Sequence, residues 1–135
     1  NLSPPQVIVG RVGANCGNVR LVEKNIWLTD NAFSVLGELQ KFNLNYLTHA
    51  LNFLNLRSFA RQSAQPVISN SSLKKIKFAF PGDIEEQKLI AKKIDCIKSE
   101  SQKLVSGYQK KLIELKYLKK SILEKAFKGE LTSAA

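Results

Sequence analysis

The feature that most constrains the fold is a long stretch without helix-breaking residues in the second half of the chain. Residues 84–127 contain no proline and a single glycine, Gly107. At 1.5 Å per residue such a helix would run roughly 65 Å, far beyond the length usual in globular domains. We therefore predict one long helix here, of the kind that forms a coiled coil or a spacer.

Apolar side chains recur along this helix at alternating steps of four and three residues, the spacing of a coiled-coil seam. Two seam positions break the pattern, Ser101 and Lys111, and they flank Gly107. The apolar seam positions are Ile90, Ile94, Ile97, Leu104, Tyr108, Leu115, Leu118 and Ile122. A lone helix with such a stripe is unstable in water. We therefore predict that it has a partner, and that this chain self-associates through residues 90–122.

The first part of the chain favours short strands separated by glycine and asparagine turns. The apolar runs at residues 7–9, 19–22 and 26–29 have the length and composition of strands in a hairpin or meander. Residues 33–36 indicate one further buried segment. Glycines at positions 10, 13 and 17 predict a tight turn after the first strand, because glycine tolerates positive φ.

A helical period follows in residues 43–60, where leucines recur at helical spacing and Asn43 is placed to cap the helix. Tyr46 and Phe53 broaden the apolar face, which predicts a well-covered helix. Further along, residues 66–69 look extended and residues 70–72 can cap a short turn. Residues 76–80 alternate apolar and polar as a half-buried strand would.

Together these elements give an α+β fold. We assign residues 1–82 to a small strand-rich domain and residues 83–131 to the long coiled-coil helix. The chain contains no methionine, so we expect that Asn1 follows a cut point and that the whole protein is longer.

The charge balance indicates a polyanionic partner. Lys and Arg number 21 against 11 Asp and Glu, a net charge of +10, and residues 1–83 and 84–135 each carry +5. Nucleic acid is the first partner that such an excess suggests. A solvated basic surface is the alternative, above all for the lysines of the long helix.

The candidate DNA-contacting residues are chosen by chemistry and by placement on turns. Arginine and asparagine are the residue types that make paired hydrogen bonds to guanine and adenine edges. The glycine-rich turn itself lacks the Lys-Ser or Lys-Thr pair of a nucleotide-binding loop. The candidates are Arg11, Asn15, Asn18, Arg20, Lys24, Arg57 and Arg61.

No group of residues in the sequence supports an active site. Asp83, Glu86 and Lys88 are residue types of metal-dependent nucleases, but both acids lie within one turn at a helix start, where acids act as caps. His49 has no catalytic partner near it in sequence. Clustered metal ligands, an S-adenosylmethionine site and a methyltransferase tetrapeptide are all missing from the sequence. We therefore expect a non-catalytic protein with no cofactor and no metal.

Cysteine usage and hydropathy indicate the compartment. Cys16 and Cys96 are too few and too far apart for a disulfide framework. We predict free thiols in a reducing compartment, the cytoplasm. No run of about 18 apolar residues is present, so we predict no membrane span, and no signal peptide opens the chain.

Three segments, in this order, resemble the specificity subunit of type I restriction-modification enzymes. The first is VGRVG at residues 9–13, continuing to Gly17, with WLTDNA at residues 27–32. The second is PVIS at residues 66–69, with Leu73, Ile76 and Phe80-Pro81, leading into EEQKLI at residues 85–90. The third is the tail LKKSILEKAFKGEL at residues 118–131.

The resemblance implies a fold and a role. Such subunits carry two target-recognition domains, each followed by a conserved long helix, and each domain reads one half of a split DNA site. The helices pack as an antiparallel coiled coil, set the half-site spacing and help to dock the methyltransferase subunits. Residues 1–80 would then be the later part of a recognition domain and residues 84–131 a spacer helix.

The implied partners are double-stranded DNA, the methyltransferase subunits and the restriction subunit. Methyl transfer and cleavage, with S-adenosylmethionine, ATP and magnesium, would belong to those other subunits. The sequence has Pro81-Gly82-Asp83 where consecutive prolines are more usual in the family. Because the resemblance implies a recognition domain longer than residues 1–80, we expect its first part to lie outside this chain.

Two alternatives stay open at the level of sequence. A nuclease or methyltransferase fragment predicts a bound metal or cofactor. A basic coiled-coil adaptor that binds only protein accounts for residues 84–128, but it leaves the arginine- and asparagine-bearing loops without a role.

Overall fold

The computed structural model describes residues 2–37, 39–61, 64–74 and 76–131. The chain divides into two compact units, Asn1–Ile94 and Asp95–Ala135. The first unit holds a three-stranded sheet, two helices and the first turns of a long helix, and the second holds the rest of that helix. The α+β prediction is confirmed. The functional boundary between residues 82 and 83 stays a prediction.

The sheet is built around its first strand. β1 (Gln6–Gly10) lies between β2 (Val19–Val22) and β3 (Ala32–Ser34), and it pairs antiparallel with both. Residues 7–9 of β1 are buried, as a central strand with covered faces requires. The strands predicted at residues 7–9 and 19–22 are confirmed. β3 overlaps the further segment predicted at residues 33–36. The order is β2-β1-β3, so the chain is not a simple meander.

The strand predicted at residues 26–29 is wrong. Only an isolated bridge between Ile26 and Leu2 forms there, and Trp27 is 78% exposed. Because β2 and β3 pair with opposite edges of β1, the chain has to cross from one edge to the other, and these residues make that crossing. Leu36, expected to be buried, is exposed as well.

The first helix, α1, spans Leu44–Phe53 and begins at the predicted cap. The Asn43 side chain accepts a hydrogen bond from the Tyr46 N–H at 3.0 Å. Tyr46 is buried, as expected, but Phe53 is 90% exposed, so the prediction of a covered face at that position is wrong. Phe53 lies about two turns after Tyr46 on the same face of the helix, so this face is covered at the start of α1 and open at its end.

The helix ends earlier than the leucine spacing suggests. Asn55 adopts a left-handed conformation with φ of 48°, the usual backbone stop after a helix. A short 3-10 turn, Leu56–Phe59, carries the helical spacing onward and buries Leu56. The leucine period therefore continues through two different elements.

The described residues between 64 and 82 form isolated bridges and a short helix and add no strand to the sheet. Val67 forms isolated bridges with Val12 and Arg61, and a short helix α2 (Asn70–Leu73) follows. The cap of α2 is Ser69, one residue before the predicted caps; its hydroxyl accepts the Ser72 N–H at 3.2 Å.

The prediction of a strand at residues 76–80 is wrong, because these residues have no regular secondary structure. Their side chains instead enter an aromatic cluster. The ring centroids of Phe80 and Phe42 are 4.5 Å apart, and those of Phe78 and Phe80 are 5.9 Å apart. Alternating apolar residues here place rings against α1's entry loop, so the period of two arises from side-chain packing.

The core of the first unit joins the sheet, α1, the 3-10 turn and the extended segment. Its members are buried apolar side chains from these four elements and from the glycine-rich turn, which contributes Cys16. They are Val7, Val9, Cys16, Val19, Leu47, Leu56 and Ile68.

The long helix α3 spans Ile84–Phe127, 44 residues, and its predicted bounds are confirmed. At its start the Asp83 carboxylate accepts the Glu85 N–H at 3.0 Å, which confirms the capping role. At its end Gly129 has φ of +74° and its N–H bonds to the Ala126 carbonyl, a glycine stop. Within the described part of the chain, no helix has both the length and the apolar composition needed to cross a bilayer.

Candidate nucleic-acid interface

The turn after β1 is folded tightly back on itself. Gly10 donates its N–H to the Asn18 carbonyl at 2.9 Å, and its own carbonyl accepts the Gly17 N–H at 2.8 Å. A Cβ at Gly10 would collide with the Asn15 carbonyl. A Cβ at Gly17, where φ is +82°, would collide with the backbone of Arg57. The tight-turn interpretation of the glycine-rich stretch is therefore confirmed.

The described residues of the segment 55–67 pack directly on this turn. The Gly13 N–H bonds to the Pro66 carbonyl at 3.1 Å, and the Arg57 guanidinium donates from Nη1 to the Ala14 carbonyl at 3.1 Å. Because both segments are hydrogen-bonded to each other, they form one continuous surface.

An open hollow of about 540 Å³ lies on this surface. Its described lining contains two exposed arginines and no carboxylate. The lining residues are Asn55, Arg57, Ser58, Ala60, Arg61, Ala64 and Pro66. The sequence around it is one-sided in charge, since residues 39–82 contain no Asp or Glu and six Lys or Arg. A surface of this composition attracts anions without local competition from acids.

Arg11 lies beside the same turn but is directed into the protein. Its guanidinium carbon lies 5.3 Å from the centre of the Phe33 ring, and Nη1 donates to the Asp30 carbonyl at 3.3 Å. Its Nε atom is buried, with no hydrogen-bond partner among the described residues. These contacts tie the turn to β3. A DNA contact by Arg11 stays a prediction.

The two candidates on and after β2 lie elsewhere. Arg20 is exposed, and because side chains alternate along a strand, it lies on the face opposite that of the core residue Val19. Lys24 follows the far end of β2. The four residues of β2 lie between it and Asn18, so the two candidates are at opposite ends of the strand.

The structure thus brings together four of the seven candidates. Asn15 and Asn18 are exposed on the turn, and Arg57 and Arg61 line the hollow beside it. We call these four residues, with the hollow, the basic face.

Sequence reasoning missed Asn52, which holds the turn's strand in place. Its Nδ2 donates to the Val19 carbonyl at 2.9 Å, and its Oδ1 accepts the Val19 N–H at 3.1 Å. Both backbone groups that Val19 directs away from β1 are therefore satisfied by one side chain. Asn52 is one of several asparagines near α1, and its spacing does not set it apart.

Gln87 was also missed, and it is the buried polar residue at the start of α3. Its Oε1 accepts the Asn43 N–H at 2.8 Å, and its Nε2 donates to the carbonyls of Lys41 and Pro81 at 3.1 and 2.8 Å. A weak signal existed, because positions 84, 87, 91 and 94 follow one helix face and the other three are apolar.

Two of the three residues whose types suggested a nuclease have structural partners. Asp83 caps α3, and Lys88 Nζ lies 2.7 Å from the Glu85 carboxylate. Within residues 2–37, 39–61, 64–74 and 76–131, no group of three His, Cys, Asp or Glu side chains is placed to hold a metal ion. Cys16 is a buried free thiol and Cys96 an exposed one.

The second unit presents its apolar seam to solvent. Leu104, Tyr108 and Leu115 are each about two-thirds exposed. The seam exception Lys111 lies with Nζ 5.9 Å from the centre of the Tyr108 ring. A helix in this state has an apolar stripe to cover, as the sequence predicted.

The sequence profile of the type I restriction modification DNA specificity domain matches residues 4–124. The chain belongs to this family. The matched range contains the sheet, the basic face and most of α3, so membership in the DNA specificity family covers both units.

Two relatives place the chain within that family. It is 34% identical over 89 residues to the type I restriction enzyme EcoprrI specificity subunit of Escherichia coli, covering 66% of this chain and 22% of that subunit. A crystal structure of the S subunit of a type I restriction-modification system from M. genitalium superimposes with a TM-score of 0.63 and 25% identity. The superposition covers 78% of this chain and 29% of that one. The chain therefore spans less than a third of either relative.

Proposed function

We propose that this chain is the part of a specificity subunit that supplies a DNA-contacting surface and the spacer helix that follows it. The observation that carries the proposal is the family match over residues 4–124, which includes both units in one continuous range. The chain recognises DNA and performs no chemistry itself, and methylation and cleavage belong to the methyltransferase and restriction subunits of the complex.

The basic face is the part that contacts double-stranded DNA. Its arginines neutralise phosphate charge, which supplies affinity that falls with salt. Asn15 and Asn18 are exposed on a rigid turn beside them, and asparagine is suited to the adenine edge in the major groove. Rigid placement matters because a side chain reads a base edge only when its direction is fixed.

The DNA proposal is tested with the 135-residue chain and a pool of random duplexes. Selection should enrich a short sequence motif, and Asn15→Ala with Asn18→Ala should weaken binding to the enriched motif while leaving binding to unselected duplex unchanged. Lys92→Ala is the control, since it removes an exposed charge from α3 at a position that is not among the candidate DNA contacts. Binding without any enriched motif, or no binding at about 50 mM salt, contradicts the proposal.

The helix assembles with other chains through its seam. A pairing that fits is a second copy running antiparallel and centred on Ser106. Such a pairing sets Leu104 opposite Tyr108, and it sets Ser101 of one copy opposite Lys111 of the other, so the two polar seam positions share the same layers. Gly107 then lies beside the centre, where a Cβ added to it would meet no other atom of the single chain within 4 Å.

Assembly is tested at two levels. Light scattering of the chain should give twice its 15.1 kDa mass at high concentration. Leu104→Lys should shift it to the monomer, and Lys103→Leu, a change off the seam, should not. Co-purification with the methyltransferase subunit of the same system should be lost when the helix after Gly107 is deleted. A monomer at every concentration contradicts self-pairing, and failure to co-purify contradicts docking by this part of the subunit.

A further inference from the structure

The hollow on the basic face has a shape that decides what part of DNA can enter it. It is concave and open, and it is bordered by Arg57, Arg61 and the Ser58 turn. Base edges lie at the bottom of a groove about 8.5 Å deep, and only a protruding element reaches them. Backbone phosphates project outward from the duplex, so they are the part that a concave surface receives.

Arg57 is held in a fixed place at one side of the hollow. One of its guanidinium N–H groups is bonded to the Ala14 carbonyl at 3.1 Å, and its backbone is packed against Gly17. A guanidinium carries five N–H donors in a planar fork, so this single bond orients the group and leaves donors for a ligand.

Arg61 is anchored at the other side by its backbone. Its N–H bonds to the Val67 carbonyl at 3.0 Å, and the two residues form a bridge. Its side chain is exposed. The two arginines therefore project from backbone segments that are fixed independently, and the absence of Asp and Glu from residues 39–82 leaves no nearby carboxylate in that stretch of sequence to pair with them.

We infer that the hollow between Arg57 and Arg61 seats one DNA backbone phosphate, held by both guanidinium groups. The inference rests on the proposed DNA recognition and assigns these two arginines to positioning the duplex without reading its sequence. Reading is then left to the neighbouring turn with Asn15 and Asn18.

The test measures salt dependence on two duplexes of unrelated sequence, with the full 135-residue chain and with Arg57→Gln, Arg61→Gln and the double variant. If both arginines hold the same phosphate, the double variant lowers the slope of log K against log salt by about 1, whereas contacts to two phosphates would lower it by about 2. Each variant should weaken binding by the same factor, about 5- to 20-fold, on both duplexes. Lys92→Gln, at an exposed position of α3 outside the candidate DNA contacts, is the control for loss of charge alone.

The phosphate itself is found with duplexes that carry one neutral methylphosphonate at a time. A methylphosphonate at one position should weaken DNA binding by the wild-type chain. The same substitution should not weaken binding by the double variant any further. Three outcomes overturn the inference. The slope of log K against log salt falls by about 2 in the double variant, or the loss of affinity differs between the two duplexes, or no methylphosphonate position behaves in this way. Absence of all DNA binding by the wild-type chain overturns the proposed function instead. Because Arg57 also bonds to Ala14, Arg61→Gln, whose anchor is its backbone, provides the variant that keeps the fold.

Discussion

The side chain of Gln87 accepts the backbone N–H of Asn43 at 2.8 Å, so the first turn of α3 and the entry to α1 are joined by a buried hydrogen bond. The same amide donates to two carbonyls, those of Lys41 and Pro81. One fully buried side chain thus satisfies three backbone groups from two loops and fixes where α3 begins.

Gln87→Met keeps the side-chain volume and removes these three hydrogen bonds. The backbone groups left without partners in a buried place should lower the free energy of unfolding by about 2–4 kcal/mol. Urea unfolding followed by circular dichroism measures the loss. Gln102→Met, on the exposed part of α3, should change it by less than about 0.5 kcal/mol. Equal effects of the two changes would show that Gln87 makes no special contribution.

Asn52→Leu is nearly isosteric and leaves both outward groups of Val19 without their partner. We expect a loss of about 1–3 kcal/mol, for the same reason of unmet hydrogen bonds. Asn45→Leu, at an exposed position two turns earlier on the same face of the helix, is the matched control and should be close to neutral. Thermal unfolding of the two variants side by side makes the comparison, and a stable Asn52→Leu chain would contradict the role assigned to the amide.

Gly17→Ala introduces a Cβ where φ is +82° and where the Arg57 backbone already lies. The strained conformation and the collision together should destabilise the first unit by about 2–4 kcal/mol. Gly82→Ala is the matched change, because no atom lies within 4 Å of its Cβ position and its φ is not positive. Denaturant midpoints that coincide for the two variants would refute the account of the turn.

Arg11 is held by contacts within the protein, whereas Arg20 is exposed, so the two should differ in their contribution to stability. Arg11→Ala removes the contact with Phe33 and the bond to the Asp30 carbonyl, and it should lower stability by about 1–2 kcal/mol. Arg20→Ala should lower it by less than about 0.5 kcal/mol. Melting temperatures of both variants decide the matter, and the reverse ranking would show that Arg11 is not held as described.

Antiparallel pairing of the helix can be read from disulfide formation in a Cys96→Ser background. Chains with Leu104→Cys and chains with Tyr108→Cys, mixed under reducing conditions and then oxidised, should cross-link to each other, because these positions face one another in the proposed pairing. Leu104→Cys alone should cross-link poorly. Efficient cross-linking of Leu104→Cys with itself would indicate a parallel pair and contradict the register.

The elements that sequence predicted well are those set by local rules. The bounds of α3 follow from the absence of proline, the acid at position 83 and Gly129, and the Asn43 cap follows from its position before an apolar period. Residues 26–29 and 76–80 have strand-like patterns, but residues 26–29 cross between the two edges of β1, and the rings of residues 78 and 80 enter the aromatic cluster, so neither segment becomes a strand of the sheet. Nothing local reveals that β1 is central and that both of its edges are taken.

In the candidate site, too, the residue types could be chosen from sequence, but their grouping in space could not. Arg57 and Arg61 were chosen by residue type and proved to share a hollow, whereas Lys24, chosen in the same way, lies at the other end of β2. Their separation depends on which strands pair and in what register, which residue type does not encode. Gln87 and Asn52 act through backbone groups distant in sequence, so spacing alone could not identify their partners.

The Asn52 amide has one more consequence, for the sheet as a surface that could bind another strand. An edge strand offers free N–H and C=O groups, and these invite pairing with a strand from the same or another chain. At Val19 both groups are already bonded to Asn52, so β2 cannot be extended there without first displacing a side chain. The side chain of Asn52 therefore protects β2 at Val19 against pairing with a strand from a neighbouring domain or in aggregation.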